Sequence, residues 1–166
     1  SQMKTIRAWV ETGKPVVGIR TANHAFHLRG KPAPQGHALW EEWDAEVIGG
    51  NYSGHHGKNK ETWFQYEPTA KGHPILKGLQ ASEEISSGGS LYKVLPLSET
   101  TELLAMGRAE GVEQKEPVAW TNKPETGNRI FFTTLGHVED FEKPGFRILL
   151  LNAIHWTLKR ETPGKS

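Results

Sequence analysis

His137 and Glu139 are the pair in this chain best suited to proton transfer, two residues apart in the run Leu135-Gly136-His137-Val138-Glu139-Asp140. A carboxylate beside an imidazole can fix its tautomer and favour its charged form, which suits the histidine to general acid or base work near neutrality. The same spacing has a plainer reading, in which Glu139 and Asp140 cap the helix ahead of Pro144 and His137 packs against a sheet. Two further polar runs accompany this one. The first, Arg20-Thr21-Ala22-Asn23-His24, follows the apolar segment Pro15-Val16-Val17-Gly18-Ile19; the second, residues 50–57, holds Asn51, Ser53, His55 and His56. Each run comes directly after a strand-like segment, and open α/β sheets gather such strand ends along one edge, where ligands bind.

Other chemistries are less well supplied. Thr21 stands on the turn but has no base beside it in sequence to activate its hydroxyl. Adjacent histidines on an extended chain point in opposite directions, so at most one of His55 and His56 serves a given site. With no HxH, HExxH or carboxylate-rich run, no metal is expected. His24 and His27 share a face only if their turn is helical, and loop histidines bonded to backbone are the simpler expectation. Gly49, Gly50, Gly54 and Gly57 match neither a P-loop nor a GxGxxG fingerprint, so they are expected to form a tight loop. Trp9, Trp120 and Trp156 fall on core positions. Trp40, Trp43 and Trp63 lie nearer the loops, where a sugar ring could stack, although core packing is expected of most of them.

The elements that must position these residues follow from periodicity. Residues 1–12 place Met3, Ile6, Trp9 and Val10 on one helical face, with Gly13 as the stop. Residues 15–20 read as a short strand buried on both faces. A short helix is expected over 37–44 and a brief strand over 45–48. Strands are expected at 63–67, 91–94 and 102–107, with a short helical turn within 72–79. Residues 118–121 and 129–134 form a hairpin across the turn-rich segment 122–128. The strongest helix spans 144–159: Pro144 suits its first turn, and Phe146, Leu149, Leu150, Ala153, Ile154 and Leu158 repeat at helical spacing. Residues 161–166 are expected to be a disordered tail.

The 166 residues and 18.5 kDa suit one domain, expected over residues 1–160. Twenty basic against nineteen acidic residues leave a formal charge of +1, which gives no reason to expect nucleic acid or an anionic membrane as partner. No apolar run approaches the roughly 20 residues that span a bilayer. The absence of cysteine excludes disulfides, thiolate metal sites and cysteine catalysis. A domain seldom opens on a helix followed by so apolar a first strand, so one or more N-terminal βα units are expected to be missing. The compartment is cytoplasmic by default, with export left open if a signal preceded residue 1.

Taken in order, several segments resemble the ThuA-like (trehalose-utilisation) family of the class I glutamine amidotransferase-like superfamily. They are Gly13-Lys14-Pro15-Val16-Val17-Gly18-Ile19-Arg20, Gly49-Gly50-Asn51-Tyr52-Ser53-Gly54-His55, His73-Pro74-Ile75 with Gly78-Leu79, and Pro117-Val118-Ala119-Trp120-Thr121. The set closes with Gly127-Asn128-Arg129-Ile130-Phe131-Phe132-Thr133-Thr134-Leu135-Gly136-His137, then Phe146-Arg147 and Asn152-Ala153-Ile154-His155-Trp156. The resemblance implies a flavodoxin-like, three-layer α/β/α sandwich with a mainly parallel sheet. It also implies that Gly18-Ile19-Arg20 stands where amidotransferases carry Gly-Ile-Cys, and His137-Val138-Glu139 where they carry His-Pro-Glu. Arginine stays protonated and cannot attack an amide, so glutaminase activity should be absent, whereas a carboxylate or hydroxyl oxygens would suit its fork of donors.

The function so implied is carbohydrate metabolism: acid/base chemistry, such as isomerisation or lyase cleavage, on a sugar or keto-sugar derivative. His137 would be the acid/base and Glu139 its orienting partner, with Arg20, Thr21, Asn23, His24, Ser53 and His55 lining the sugar. No cofactor is expected, and a homo-oligomer is left open. The alternative is a domain that binds or assembles without chemistry.

Overall fold

A computed structural model describes residues 2–57, 61–80 and 84–165. Helix α1 (Gln2–Glu11) leads into strand β1 (Val16–Ile19) through a turn that needs glycine, since Gly13 has φ +74° and its amide donates to the Val10 carbonyl at 2.9 Å. Asn128 pins this turn, its side-chain amide donating to the carbonyls of Val10 at 2.9 Å and Lys14 at 2.7 Å. Strands β2 (Gly54–His56), β3 (Thr62–Tyr66), β4 (Ile85–Ser87) and β5 (Leu91–Lys93) follow, then β6 (Thr101–Ala109), β7 (Glu116–Asn122) and β8 (Ile130–Thr133), and the chain closes on helix α2 (Pro144–Thr157).

Six strands form one mixed sheet in the order β1-β8-β7-β6-β3-β4, and β2 pairs with β5 as a separate antiparallel ribbon. Only β1 and β8 run parallel; every other described pair in the sheet is antiparallel. The expectation of a mainly parallel sheet is thus corrected to a mixed α/β sheet. The reason is connection length: β6 to β7 and β7 to β8 are joined by short turns, which return the chain antiparallel, while a parallel neighbour needs a long crossover.

Side chains that alternate along the central strands divide the core in two. On one face Ala119 and Phe131 pack with Leu149, Ala153 and Trp156 of α2. On the other, Trp120, Ile130 and Phe132 pack with Val10 of α1, Trp40, Trp43, Ile48 and Tyr52. Trp9, expected in the core, is instead 46% exposed, with its indole N–H donating to the Pro15 carbonyl.

Residues 45–48, expected as a strand, belong to a single π-helical turn at Trp43–Ile48, and 37–44 does not form the expected helix. Core side chains take the carbonyls that a strand would have paired: Trp120 Nε1 donates to Ile48 O at 2.8 Å and Asn122 Nδ2 to Val47 O at 2.9 Å. Gly49 then turns the chain at φ +82°, and a Cβ there would meet Asn122 Cγ at 2.9 Å. Gly49 and Gly50 are therefore glycines for close packing. Beyond α2, residues 161–165 differ from the disordered tail expected of them. Lys77 Nζ donates to the Thr162 carbonyl at 2.9 Å, and the Gly164 amide to Asn152 Oδ1 at 3.0 Å.

Candidate functional site

The parallel pair builds the site. Ile19 stands beside Thr133 in register, so the chain leaves β1 and β8 side by side, and the segments 20–24 and 134–140 emerge as neighbours. Arg20 begins a 3-10 turn (Arg20–His24) at φ +47°, a left-handed conformation that side chains seldom adopt. Its Cγ lies 3.5 Å from where a Cβ on Gly136 would stand, and the guanidinium passes over the Tyr92 ring, 5.7 Å from its centroid.

The turn Gly88-Gly89, after β4, joins Arg20 to His137. A Cβ on Gly89 would fall 2.1 Å from Nη1 of Arg20, and one on Gly88 would fall 2.8 Å from Nδ1 of His137 and 3.3 Å from Oε2 of Glu139. Both groups close on the turn only because it has no side chains. His137 Nδ1 and Glu139 Oε2 are 3.9 Å apart, an ion-pair distance when the imidazole is charged but too long for a hydrogen bond. Glu139 is mostly exposed, while Nδ1 of His137 and Nη1 of Arg20 are both buried without an acceptor or donor partner among the described residues.

What fixes the His137 loop is Asp140. It is buried, and its Oδ2 accepts from Ser87 Oγ at 2.6 Å and from the backbone amides of Gly136 and His137 at 2.9 Å each. Asp140 caps the start of the short 3-10 helix Val138–Glu142 rather than the helix at Pro144, whose N-cap is Lys143. Lys143 Nζ approaches its other oxygen at 3.4 Å and also bonds the Ser86 carbonyl.

The ribbon of β2 and β5 forms the opposite wall. His24 stacks on Tyr52 with ring centroids 4.0 Å apart, and Tyr52 meets Tyr92 at 5.0 Å. His55 is exposed, 6.4 Å from Tyr92 between ring centroids, whereas its neighbour His56 points inward, so the two diverge as an extended chain requires. His56 Nε2 and Gln114 Nε2 each meet Glu116 Oε1 at 3.0 Å, and Glu116 Oε2 accepts from the Val94 amide, so one buried carboxylate ties the ribbon to β7. Burial is the main reason His24 protonates below the usual histidine range, helped by the positive charge of Arg29 and the neighbouring His27. Burial raises the Tyr92 phenol, against an opposing pull from Arg20.

Of the residues singled out in the sequence, Arg20, His24, His55, His137 and Glu139 come together here. Asn23 is fully buried beside them, with neither amide atom partnered among the described residues. Thr21 and Ser53 are exposed, and among the described residues no side-chain hydrogen bond holds either in the cluster. Among the described residues no three His, Asp or Glu side chains could together hold a metal ion. Sequence reasoning missed Tyr52 and Tyr92 as the floor, and Gly88-Gly89 as the turn that admits both Arg20 and His137. The doubled glycine in Ser86-Ser87-Gly88-Gly89-Ser90 was the available signal. Chemistry does not follow cavity size: a 480 Å³ apolar space lies between α1 and β1, and a 360 Å³ one lies behind Asp140. Neither is lined by Arg20 or His137.

An α/β domain with polar loops gathered at the parallel strand pair β1–β8 agrees with the comparisons. The family model described as "ThuA: Trehalose utilisation" matches residues 1–157, and the chain belongs to that family. No curated protein matches it. Among solved structures it is similar to "Crystal structure of Agd3 a novel carbohydrate deacetylase", at 16% identity and a TM-score of 0.57. The match covers 95% of this chain and 21% of that one, so the chain spans about a fifth of that structure's length. Among the described residues no helix is long and apolar enough to cross a membrane.

Proposed function

We propose that this ThuA-family domain binds a sugar derivative against Arg20, His24 and His55 and moves a proton on it with His137. One observation carries the reading. The parallel strand ends bring Arg20 and His137 onto a single glycine turn, and each has a buried polar nitrogen without a partner among the described residues. A buried polar atom of this kind calls for a partner, and at a site a ligand or a water can supply it. With Nδ1 buried, the accessible edge of the His137 ring is the other one, and general acid/base work at a carbon next to a carbonyl suits it. Glu139 would favour the charged imidazole through space. The carbohydrate class is supported by the family, and by the printed title of the structural neighbour, which concerns a carbohydrate deacetylase.

The flavodoxin-like, amidotransferase-like placement belongs to the same proposal. The β1–β8 pair and the loops that leave it support it, and Arg20 in the nucleophile's place argues against glutaminase activity. A second reading, binding without chemistry, has one observation in its favour: Glu139 is too far from His137 Nδ1 to orient it by a hydrogen bond. The experiment that separates them is turnover of unmodified and 3-keto disaccharides by wild type and His137→Ala. Turnover lost in the variant supports acid/base chemistry; turnover that survives removes His137 from the mechanism.

A further inference from the structure

Arg20 and Arg29 share a property that a neutral sugar does not explain. Neither has a carboxylate partner among the described residues, and each lies over a tyrosine of the site floor: Arg20 over Tyr92, Arg29 over Tyr52 at 5.1 Å. The acids nearby bond to other groups. Both oxygens of Asp44 are taken by backbone amides, of Ala45 at 2.9 Å and Tyr52 at 3.1 Å, and Asp140 is occupied by Ser87, Gly136, His137 and Lys143. Glu139, exposed, faces His137. Around the two guanidinium groups stand His24, His27, His55 and His137. His27 has a single distant acid, Glu41 at 3.9 Å. Asp44 keeps its negative charge in this recess, but among the described residues it forms no ion pair with either guanidinium.

Arg20 is the more buried of the two. It is half-buried, its Nη1 is shut off from solvent against Gly89, and no atom of its side chain makes a hydrogen bond to a described residue. A charge held partly desolvated without a counter-ion is costly, and a bound anion removes that cost. Nη1 is closed to a ligand, but the Nε and Nη2 edge of the planar fork is not buried, and it matches a carboxylate through two parallel N–H···O bonds, a geometry that a hydroxyl cannot offer. The geometry points to an anion subsite at Arg20 that takes the carboxylate of a sugar acid, a uronate or an aldonate, and presents its sugar carbons to His137. Arg29 adds long-range attraction. This deepens the carbohydrate reading above and rests on it for the sugar.

The test is calorimetric titration of wild type at low ionic strength with glucuronate and gluconate, each beside its neutral amide, and with glucose 6-phosphate. At least one acid should bind roughly 10- to 100-fold tighter than its own amide, as a charge-assisted bidentate pair implies. Arg20→Gln should abolish that difference, Arg20→Lys should restore only part of it, and Arg29→Gln should weaken binding mainly at low salt. Equal binding of acids and amides, or an unchanged preference in Arg20→Gln, overturns the subsite. Tighter binding of the sugar phosphate than of both acids overturns its assignment to carboxylate.

His137→Ala separates this inference from the catalytic one. An acid preference lost in Arg20→Gln but kept in His137→Ala supports the subsite whatever happens to turnover. Neutral disaccharides turned over through His137, with no acid preference, would sink the subsite and leave the catalytic reading standing.

Discussion

Replacing Gly89 with alanine tests the site at its tightest point. The new Cβ would stand 2.1 Å from Arg20 Nη1 where ordinary contact begins at 3.4 Å, so the guanidinium must retreat by about 1.3 Å. Its next neighbour, Ser87 Oγ, is 3.6 Å away and undisturbed, and Gly89 does not have a positive φ. The collision is therefore with the far end of a flexible side chain alone, and the change of Tm should stay within about 2 °C, as for substitutions outside the core. Binding should respond much more. A displacement of this size breaks a two-bond match to a carboxylate, which at about 1.5–3 kcal/mol corresponds to roughly 10- to 150-fold in Kd. Gly88→Ala is the control, because its Cβ would strike His137 Nδ1 at 2.8 Å and leave Arg20 alone. It should depress turnover with little effect on affinity for the acid. The assay is the same titration, with a thermal melt of each variant. A Gly89→Ala protein that melts normally and binds sugar acid within twofold of wild type would refute Arg20 as the anchor.

Asp140→Ala abandons four donors, those of Ser87, Gly136, His137 and Lys143; it should cost about 3–5 kcal/mol and lower Tm by roughly 10 °C, and a change under 2 °C would remove Asp140 as the anchor of the His137 loop. Glu116→Gln puts an N–H against one of the donors now met by the carboxylate; about 1–3 kcal/mol should be lost, with faster hydrogen exchange at the Val94 amide, and unchanged exchange there would dissociate the ribbon from Glu116. His73 is buried, mainly for that reason protonates below the usual histidine range, and accepts the Ile75 amide at 3.2 Å. The unfolded chain then binds the proton more readily, so this contribution is complete above about pH 6.5 and is lost as pH falls through the lower folded value. His73→Asn, which can still accept that amide, should flatten the loss of denaturant stability between pH 7 and 5; a slope equal to that of wild type would count against His73 as its source.

Local pattern disclosed most elements because the segments that carry them are self-consistent. The helical repeat from Phe146 to Leu158 and the hairpin around 122–128 appear as α2 and as β7–β8. The segment 37–48 was not legible, since its fate is decided at a distance. Trp120 and Asn122, some seventy residues on, take its carbonyls and hold a π-helical turn that no local propensity would favour. The site shows the same division. Arg20 and His137 were visible as polar residues at strand ends, which is a one-dimensional signal. Tyr92 and Gly88-Gly89 became part of the site only through the pairing of β2 with β5 and of β4 with β3, and such long-range register is not written in any single segment.

The backbone at Arg20 favours an active role for its side chain over a relic of the fold. Among the described residues three that are not glycine have a positive φ: Arg20, Arg29 and Lys159. Lys159 lies just past the end of α2, where chains often turn left-handed to satisfy the last carbonyls, and its amide bonds the Trp156 carbonyl at 3.0 Å. Arg20 has no such excuse, since it follows directly on a strand. Glycine would adopt that conformation at about 1 kcal/mol less, and a small side chain would also spare the buried, unpaired Nη1. Two local penalties therefore coincide at one residue, whose charge no described acid balances, and a second arginine at positive φ stands over the adjoining ring. Penalties of this kind persist where the surrounding structure is arranged for a further partner. The features that make Arg20 unfavourable in the isolated chain, an unpaired charge and unspent donors above a tyrosine, are the ones that binding a planar anion would turn to advantage.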